Sequence, residues 1–176
     1  AAVLAPVAIT RRAVELRALV AREKWLIAAA GVLLAAHFAT WITSLRFTSV
    51  ASSTALVATQ PAWAALMARG RGAVIGRTAW AGLAMAVVAA GLLTGIDVRL
   101  SSRTLEGDVL ALVGAVLAAG YVTAGSAVRQ TVDTTTYTTL CYSTTAALLL
   151  VVCFVGHQQL FGYAGLDWIR IAALTI

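Results

Sequence analysis

The sequence has few charged residues and few cysteines. Lysine and arginine number 13 and aspartate and glutamate 7, so charged residues are 11% of the 176 positions, against about 25% in a soluble domain. A disordered chain is excluded, because such chains are rich in charge and poor in apolar residues. Two cysteines are too few for a disulfide scaffold. With two cysteines and two distant histidines, we also expect no metal site.

Apolar residues, by contrast, are abundant. Hydrophobic residues make up 61% of the chain, and its mean hydropathy is +0.90. A soluble domain of this size cannot bury so much apolar surface, because more than half of a folded surface stays exposed. At about 20 residues per span plus short loops, the length suits roughly five to seven membrane spans. The composition therefore predicts an all-α integral membrane protein, a polytopic helical bundle.

Apolar runs of about bilayer thickness predict five complete spans. They are Trp25–Ser44, Val50–Ala68, Trp80–Ile96, Val109–Val128 and Tyr137–Val155. The apolar runs Ala1–Ile9 and Trp168–Ile176 are interpreted as two partial spans. We therefore expect an internal fragment of a longer protein, with no cleavable signal peptide.

Basic residues are concentrated in alternate loops. With Arg69 and Arg129 assigned to the same side, the loops 10–24, 70–79 and 129–136 hold nine of the 13 basic residues. The other side holds four, which are Arg46, Arg99, Arg103 and Arg170. Because basic residues favour cytoplasmic loops, the first side is predicted to be cytoplasmic. Membrane topology thus explains the net charge of +6, and no nucleic-acid partner is expected.

The acidic residues all lie in loops or at span ends. They are Glu15, Glu23, Asp97, Glu106, Asp108, Asp133 and Asp167. No carboxylate proton relay is therefore expected within the predicted spans. If transport is coupled to protons, His37 is the only buried candidate, because histidine changes its charge near neutral pH.

Polar residues share one face of the span Trp25–Ser44. At 100° per residue, His37, Thr40, Trp41 and Ser44 fall within an arc of about 100°. Two interpretations are open. Serine and threonine commonly pack helices together in membranes, whereas a histidine one turn from a tryptophan also suits the lining of a solvated cavity.

The span Val50–Ala68 also carries a polar face, with a proline at its middle. Thr59, Gln60 and Trp63 lie on one side of this span. Pro61 has no backbone N–H, so the carbonyl of Val57 loses its helical donor. The proline either only kinks the helix or helps to form a binding site, since transporters build sites from discontinuous helices.

The later spans give weaker signals. Tyr121 lies near Gly114 and Gly125 on its helix face, which suits either close packing or a cavity. Tyr137 and Tyr142 are interpreted as interface anchors. The Gly91 and Gly95 pair has the GxxxG spacing that lets helices approach closely, and is interpreted as scaffold. Ser126 and His157 are the only candidates for a serine–histidine pair, but they are expected at opposite membrane faces, so no catalytic residue is predicted.

The segment from His37 to Pro61 resembles the EamA family of the drug/metabolite transporter superfamily. It has an apolar span that ends in the run Ser44–Ser53 (SLRFTSVASS), a tight turn, and a span with a proline at mid-helix. The run Gly120–Arg129 is similar to the end of the family's sixth span. The resemblance implies ten spans in two inverted five-helix repeats. Residues 1–98 would be the C-terminal part of the first repeat, from the end of span 2 to span 5, and residues 109–176 the N-terminal part of the second, with spans 6, 7 and the start of 8.

The resemblance also implies a function. It suggests a secondary transporter, an exporter or permease that moves a small metabolite or drug by alternating access across the bacterial inner membrane. With the shared polar faces, it points to a central cavity lined by His37, Thr40, Trp41, Ser44, Thr59, Gln60, Trp63 and Tyr121, with Pro61 as the helix kink. The expected partners are the lipid bilayer, a small-molecule substrate and, as an open alternative, a second copy of the chain, without cofactors. The alternatives are a membrane scaffold subunit that does not transport and, less favoured, a membrane-embedded enzyme.

Overall fold

The computed structural model describes residues 19–96, 101–158 and 165, and the first two of these ranges are helical with short links. Their six helices are α1 (Ala21–Ser44), α2 (Val50–Val57), α3 (Gln60–Gly70), α4 (Arg77–Ile96), α5 (Ser102–Val128) and α6 (Thr134–Val155). By length and composition, α1, α4, α5 and α6 are each able to cross a membrane. The predicted all-α, multi-pass membrane fold is confirmed for this part of the chain.

Polar caps start several helices before their apolar runs. The Ser101 side chain accepts a hydrogen bond from the Thr104 N–H at 3.2 Å, and Asp133 accepts one from Thr135 at 2.8 Å. Such caps satisfy N–H groups that a helix start leaves free. As a result α5 begins at Ser102, seven residues before the predicted start of that span, and α6 begins at Thr134.

The predicted span Val50–Ala68 is not one helix in the structure. It is divided into α2 and α3 by a turn at Ala58 and Thr59. At this turn the Thr59 N–H donates to the Leu56 carbonyl at 3.1 Å, one residue closer than in an α-helix. The physical reason is Pro61, which cannot donate to Val57. A kink was predicted here, and the structure has a two-residue turn whose backbone stays in the right-handed helical region, with φ −64° and ψ −9° at Ala58 and φ −73° and ψ −6° at Thr59.

The packing of α1 on α5 forms the centre of the bundle. The two helices are antiparallel, since Glu23 near the start of α1 accepts a hydrogen bond from Thr131 after the end of α5, at 2.7 Å. At the opposite end, Gly107 of α5 lies against Phe47 and Thr48. The buried residues of α5 are nearly all small: Gly107, Ala111, Gly114, Ala115, Ala118, Ala119, Gly125 and Val128. Small residues let two helix backbones approach closely.

The remaining helices pack around this pair. On one side α6 contacts α1, and the Thr145 hydroxyl donates to the Gly31 carbonyl at 3.1 Å. On the other side α2 meets the end of α1, where Ser53 lies beside Ser44, and α3 meets α5, where Gln60 lies beside Ala118. Helix α4 packs mainly on α2. Only 6% of its apolar, membrane-length segment is buried.

This arrangement sorts the described basic residues between the two ends of the bundle. The end with the α1 start and the α5–α6 link carries six of them: Arg22, Lys24, Arg69, Arg71, Arg77 and Arg129. The opposite end carries Arg46 and Arg103. The alternation of basic residues that was predicted from the loop sequences is therefore present in the structure, where helix packing brings the basic links to one end of the bundle. The predicted partial spans Ala1–Ile9 and Trp168–Ile176 lie outside the described residues.

Candidate functional site

The polar face of α1 is directed at α5, and His37 lies at its centre. This side chain is only 7% exposed, and its Nδ1 lies 2.9 Å from the Gly114 carbonyl oxygen. Because a carbonyl only accepts hydrogen bonds, Nδ1 must carry the hydrogen. The ring also stacks on Trp41, with centroids 5.6 Å apart and planes 22° apart. His37 is thus held by protein groups on two sides.

The two hydroxyl residues of the same face are also satisfied by the protein. Thr40 donates to the Ala36 carbonyl at 2.9 Å, within its own helix. Ser44 is fully buried and forms a hydrogen bond of 2.6 Å with the Ser53 hydroxyl of α2. The Ser44 contact joins two helices, which agrees with the packing interpretation, whereas the Thr40 bond stays within α1.

Trp41 differs from its neighbours because its polar atom is unsatisfied. Its Nε1 is buried and has no hydrogen-bond partner among the described residues. The side chain packs where Gly114 leaves room, since a Cβ at that glycine would lie 3.6 Å from the Trp41 Cβ. A buried indole usually has a partner for its N–H. The indole N–H of Trp41 can therefore still donate one hydrogen bond.

The break between α2 and α3 places three predicted site residues together. The Thr59 hydroxyl donates to the Leu56 carbonyl at 2.6 Å and accepts from the Trp63 indole N–H at 3.2 Å. Gln60 Nε2 lies 3.5 Å from the Ala118 carbonyl oxygen. That distance exceeds the usual range of about 2.7–3.2 Å for such bonds. The Gln60 amide is thus only weakly held.

Trp41 and Gln60 approach the same face of α5. Their neighbours on that helix, Gly114 and Ala118, are four residues apart, which corresponds to one turn and about 40° of rotation. We call this group of four residues the Trp41–Gln60 site. It combines two neutral donors with spare capacity and a helix surface that lacks bulky side chains.

Tyr121 and Trp63 line two different cavities. Tyr121 borders a cavity of about 370 Å³ between α1, α5 and α6. Trp63 borders an apolar groove of about 320 Å³ that is otherwise lined by α5, from Val109 to Leu117. The structure therefore brings Trp41 and Gln60 to one turn of α5 but places Tyr121 beside another helix pair.

Sequence reasoning missed other residues of the Tyr121 cavity. Phe38 and Thr145 line it, as does Tyr142, which was predicted to be an interface anchor. Tyr137, predicted as an anchor too, is only 2% exposed and packs against Gly125. No single-sequence signal distinguishes these tyrosines, because their roles depend on which side of α6 meets α1.

The described residues contain no group of three or more histidine, cysteine, aspartate or glutamate side chains that could hold a metal ion. Ser126 is exposed near the end of α5, and its hydroxyl donates to the Thr123 carbonyl at 2.8 Å.

Comparison with protein-family models, curated proteins and solved structures gave no match for this chain.

Proposed function

We propose that this chain is part of a membrane permease of the EamA class, which moves a small amphipathic solute by alternating access. The observation that carries the proposal is the break between α2 and α3, with Gln60 at its edge and α5 beside it. The ten-span inverted-repeat architecture and the bacterial inner membrane belong to this proposal.

An interruption within a membrane-spanning segment needs other partners for its backbone groups, and here the Thr59 N–H donates to Leu56 and the Ala62 N–H to Thr59. Backbone groups without partners cost several kcal/mol each in the hydrocarbon region, so irregular backbone occurs there only inside protein or beside a water-filled cavity. Both Leu56 and Thr59 at the break are buried, at 8% and 5% exposure. Transporters use such discontinuous helices to present polar groups to a substrate. The break therefore favours a binding role for Gln60.

The chemistry of the Trp41–Gln60 site suits a solute with hydrogen-bond acceptors. The indole N–H of Trp41 is unsatisfied among the described residues, and the long Gln60 contact is weak enough to be exchanged. An aromatic ring and two neutral donors bind an apolar body with one or two polar groups. Since α1 and α3 each pack on α5, bringing a solute to these donors requires α1 or α3 to move away from α5, which alternating access would supply.

The distribution of charge argues against a strongly charged substrate. Among the described residues, the acidic side chains lie before a helix or within its first two turns: Glu23, Glu106, Asp108 and Asp133. A charged solute at mid-membrane requires a counter-charge or a polar cavity. A neutral or zwitterionic solute is the better fit.

A membrane scaffold is the second candidate function, and specific contacts favour it. The His37 bond to Gly114 and the Ser44 bond to Ser53 tie helices together without any cavity. In a scaffold, the remaining polar groups would only stabilise the bundle. Transport assays separate the two functions.

The test is transport by the full-length protein in proteoliposomes, over a metabolite panel, with and without a pH gradient. Gln60→Ala and Trp41→Phe should each lower transport about five- to tenfold, because each removes one hydrogen bond worth about 1 kcal/mol. The matched controls are Gln130→Ala in an exposed link and Trp25→Phe, whose side chain is 76% exposed. Both controls should transport like the wild type.

Two outcomes would contradict parts of this proposal. Unchanged transport in both site variants would remove the Trp41–Gln60 site, and absence of transport for every solute in a folded wild type would favour the scaffold. A His37→Gln variant that keeps its dependence on the pH gradient would exclude His37 as the coupling group.

A further inference from the structure

A second cavity adjoins the Tyr121 cavity along α1 and α6. Its volume is about 370 Å³, and it is bordered by Arg46 and Gln158 at one end. Phe38 and Leu149 line both cavities, so the two lie side by side along the same pair of helices. We call the combined feature the α1–α6 groove.

The groove has the length and surface of a hydrocarbon site. Leu34 at its inner end and Arg46 at its outer end are twelve residues apart, which is about 18 Å at helical rise. That is more than half of the bilayer core of about 30 Å. At its edge, Ile42 is 58% exposed and Val152 54% exposed. Because α1 and α6 both have the length and hydropathy of membrane spans, these apolar edges face lipid chains.

Among the described residues that line the groove, the one charged side chain is a cation at its outer end. Arg46 is exposed two residues after α1 ends, which is the depth of a lipid headgroup. None of the described residues that line either cavity is acidic. A guanidinium pairs with phosphate through two parallel hydrogen bonds. Apolar walls with one cation at the membrane interface match an anionic lipid.

We propose that the α1–α6 groove binds one phospholipid with an anionic headgroup, its acyl chain along Phe38 and Leu149 and its phosphate at Arg46. This site is separate from the Trp41–Gln60 site on α5 and does not depend on the proposed transport. The bilayer itself supplies the occupant, and the open apolar edge lets a chain enter from the side.

Lipid retention by the purified full-length protein tests the proposal, measured by native mass spectrometry with phosphatidylglycerol and phosphatidylcholine of equal chain length. The wild type should retain phosphatidylglycerol about tenfold better, as expected for a charge-assisted contact. Arg46→Gln should remove that preference. Arg103→Gln, at the same end of the bundle but outside the groove, is the matched control and should keep the preference.

A second pair of variants tests the apolar part. Leu149→Trp fills the groove and should lower retention of both lipids about fivefold or more, whereas Leu150→Trp changes a neighbouring side chain that is already 50% exposed and should have no effect. Cys153 also lines the groove, so its reaction with a maleimide should slow when phosphatidylglycerol is present. Cys141 is fully buried and contributes little to that signal.

Several results would overturn the proposal. An equal loss of preference in Arg46→Gln and Arg103→Gln would show general surface electrostatics, and unchanged retention of both lipids in Leu149→Trp would exclude the acyl-chain contribution. If Leu149→Trp disrupts a dimer without changing lipid retention, the groove is an interface for a second copy of the chain. Because the readout is lipid binding, a failed transport assay does not affect it.

Discussion

The α1–α5 interface and helix α4 contain the same kinds of small residue in very different surroundings. In α5, a Cβ at Gly107 would lie 2.8 Å from the Thr48 backbone nitrogen, and one at Gly114 would lie 3.2 Å from the Thr40 hydroxyl oxygen. In α4, a Cβ at Gly91 or Gly95 would meet none of the described residues within 4 Å. Glycine spacing therefore permits close approach, but a fitting partner surface decides whether it occurs.

The bilayer explains why α4 can remain uncovered. Lipid chains are as apolar as leucine, so burial of an apolar helix face gains little free energy in a membrane. What α1 gains from α5 is packing, together with hydrogen bonds such as that from His37 to Gly114. Helix α4 has few such contacts, and Ala90 is its only buried hydrophobic residue among those described.

The largest expected effect comes from filling Gly107, where an added Cβ would lie 2.8 Å from a backbone nitrogen. Gly107→Ala should lower the free energy of unfolding by about 1–3 kcal/mol, because the new methyl group would overlap backbone that cannot rotate away. The measurement is the unfolding equilibrium in detergent micelles. A variant as stable as the wild type would show that α5 is less closely packed against the Phe47–Thr48 link than the structure has it.

A smaller effect is expected at the hydroxyl pair that joins α1 to α2. Ser44 and Ser53 are both fully buried, and their oxygens are 2.6 Å apart. A double-mutant cycle with Ser44→Ala and Ser53→Ala should give a coupling of about 0.6 kcal/mol, the average for such bonds in membranes. Strictly additive effects would mean that the hydroxyls do not interact, and the exposed Ser143→Ala serves as the control.

The smallest effect is expected in α4. Gly91→Ala should leave stability unchanged or raise it by up to about 1 kcal/mol, since alanine loses less conformational entropy in a helix and its methyl group has open space. Measured under the same conditions as Gly107→Ala, it tests the comparison directly. A clear loss of stability would reveal a helix packed on this face in the assembled protein.

Much of the helical architecture could be predicted from the sequence. Four predicted spans are single helices because apolar length alone identifies a membrane helix. The polar faces of α1 and α3 could be predicted from helical periodicity. The partners of those faces could not, because His37 on a helix face is equally compatible with a water-filled cavity and with a backbone carbonyl of α5.

Residue type also failed to separate similar side chains. Tyr137 and Tyr142 both suit the membrane interface, yet Tyr137 is buried against Gly125, while Tyr142 shares a cavity with Tyr121. Likewise Pro61 predicted a disturbed helix but not the turn at Ala58 and Thr59, whose geometry depends on how α2 and α3 each pack against α5.

The presence of four single helices of membrane length, and the alternation of basic residues between their ends, follow from the order of residues alone. They are local properties: hydropathy over about 20 positions, and the charge of the loops between. Only the tertiary structure decided three other features. They are which glycines lie against a neighbouring segment, which hydrogen-bonding capacity is left unused at Trp41 and Gln60, and where α1 and α6 leave a groove. Each depends on distances between residues far apart in the chain, which a membrane's uniform apolar solvent does not dictate.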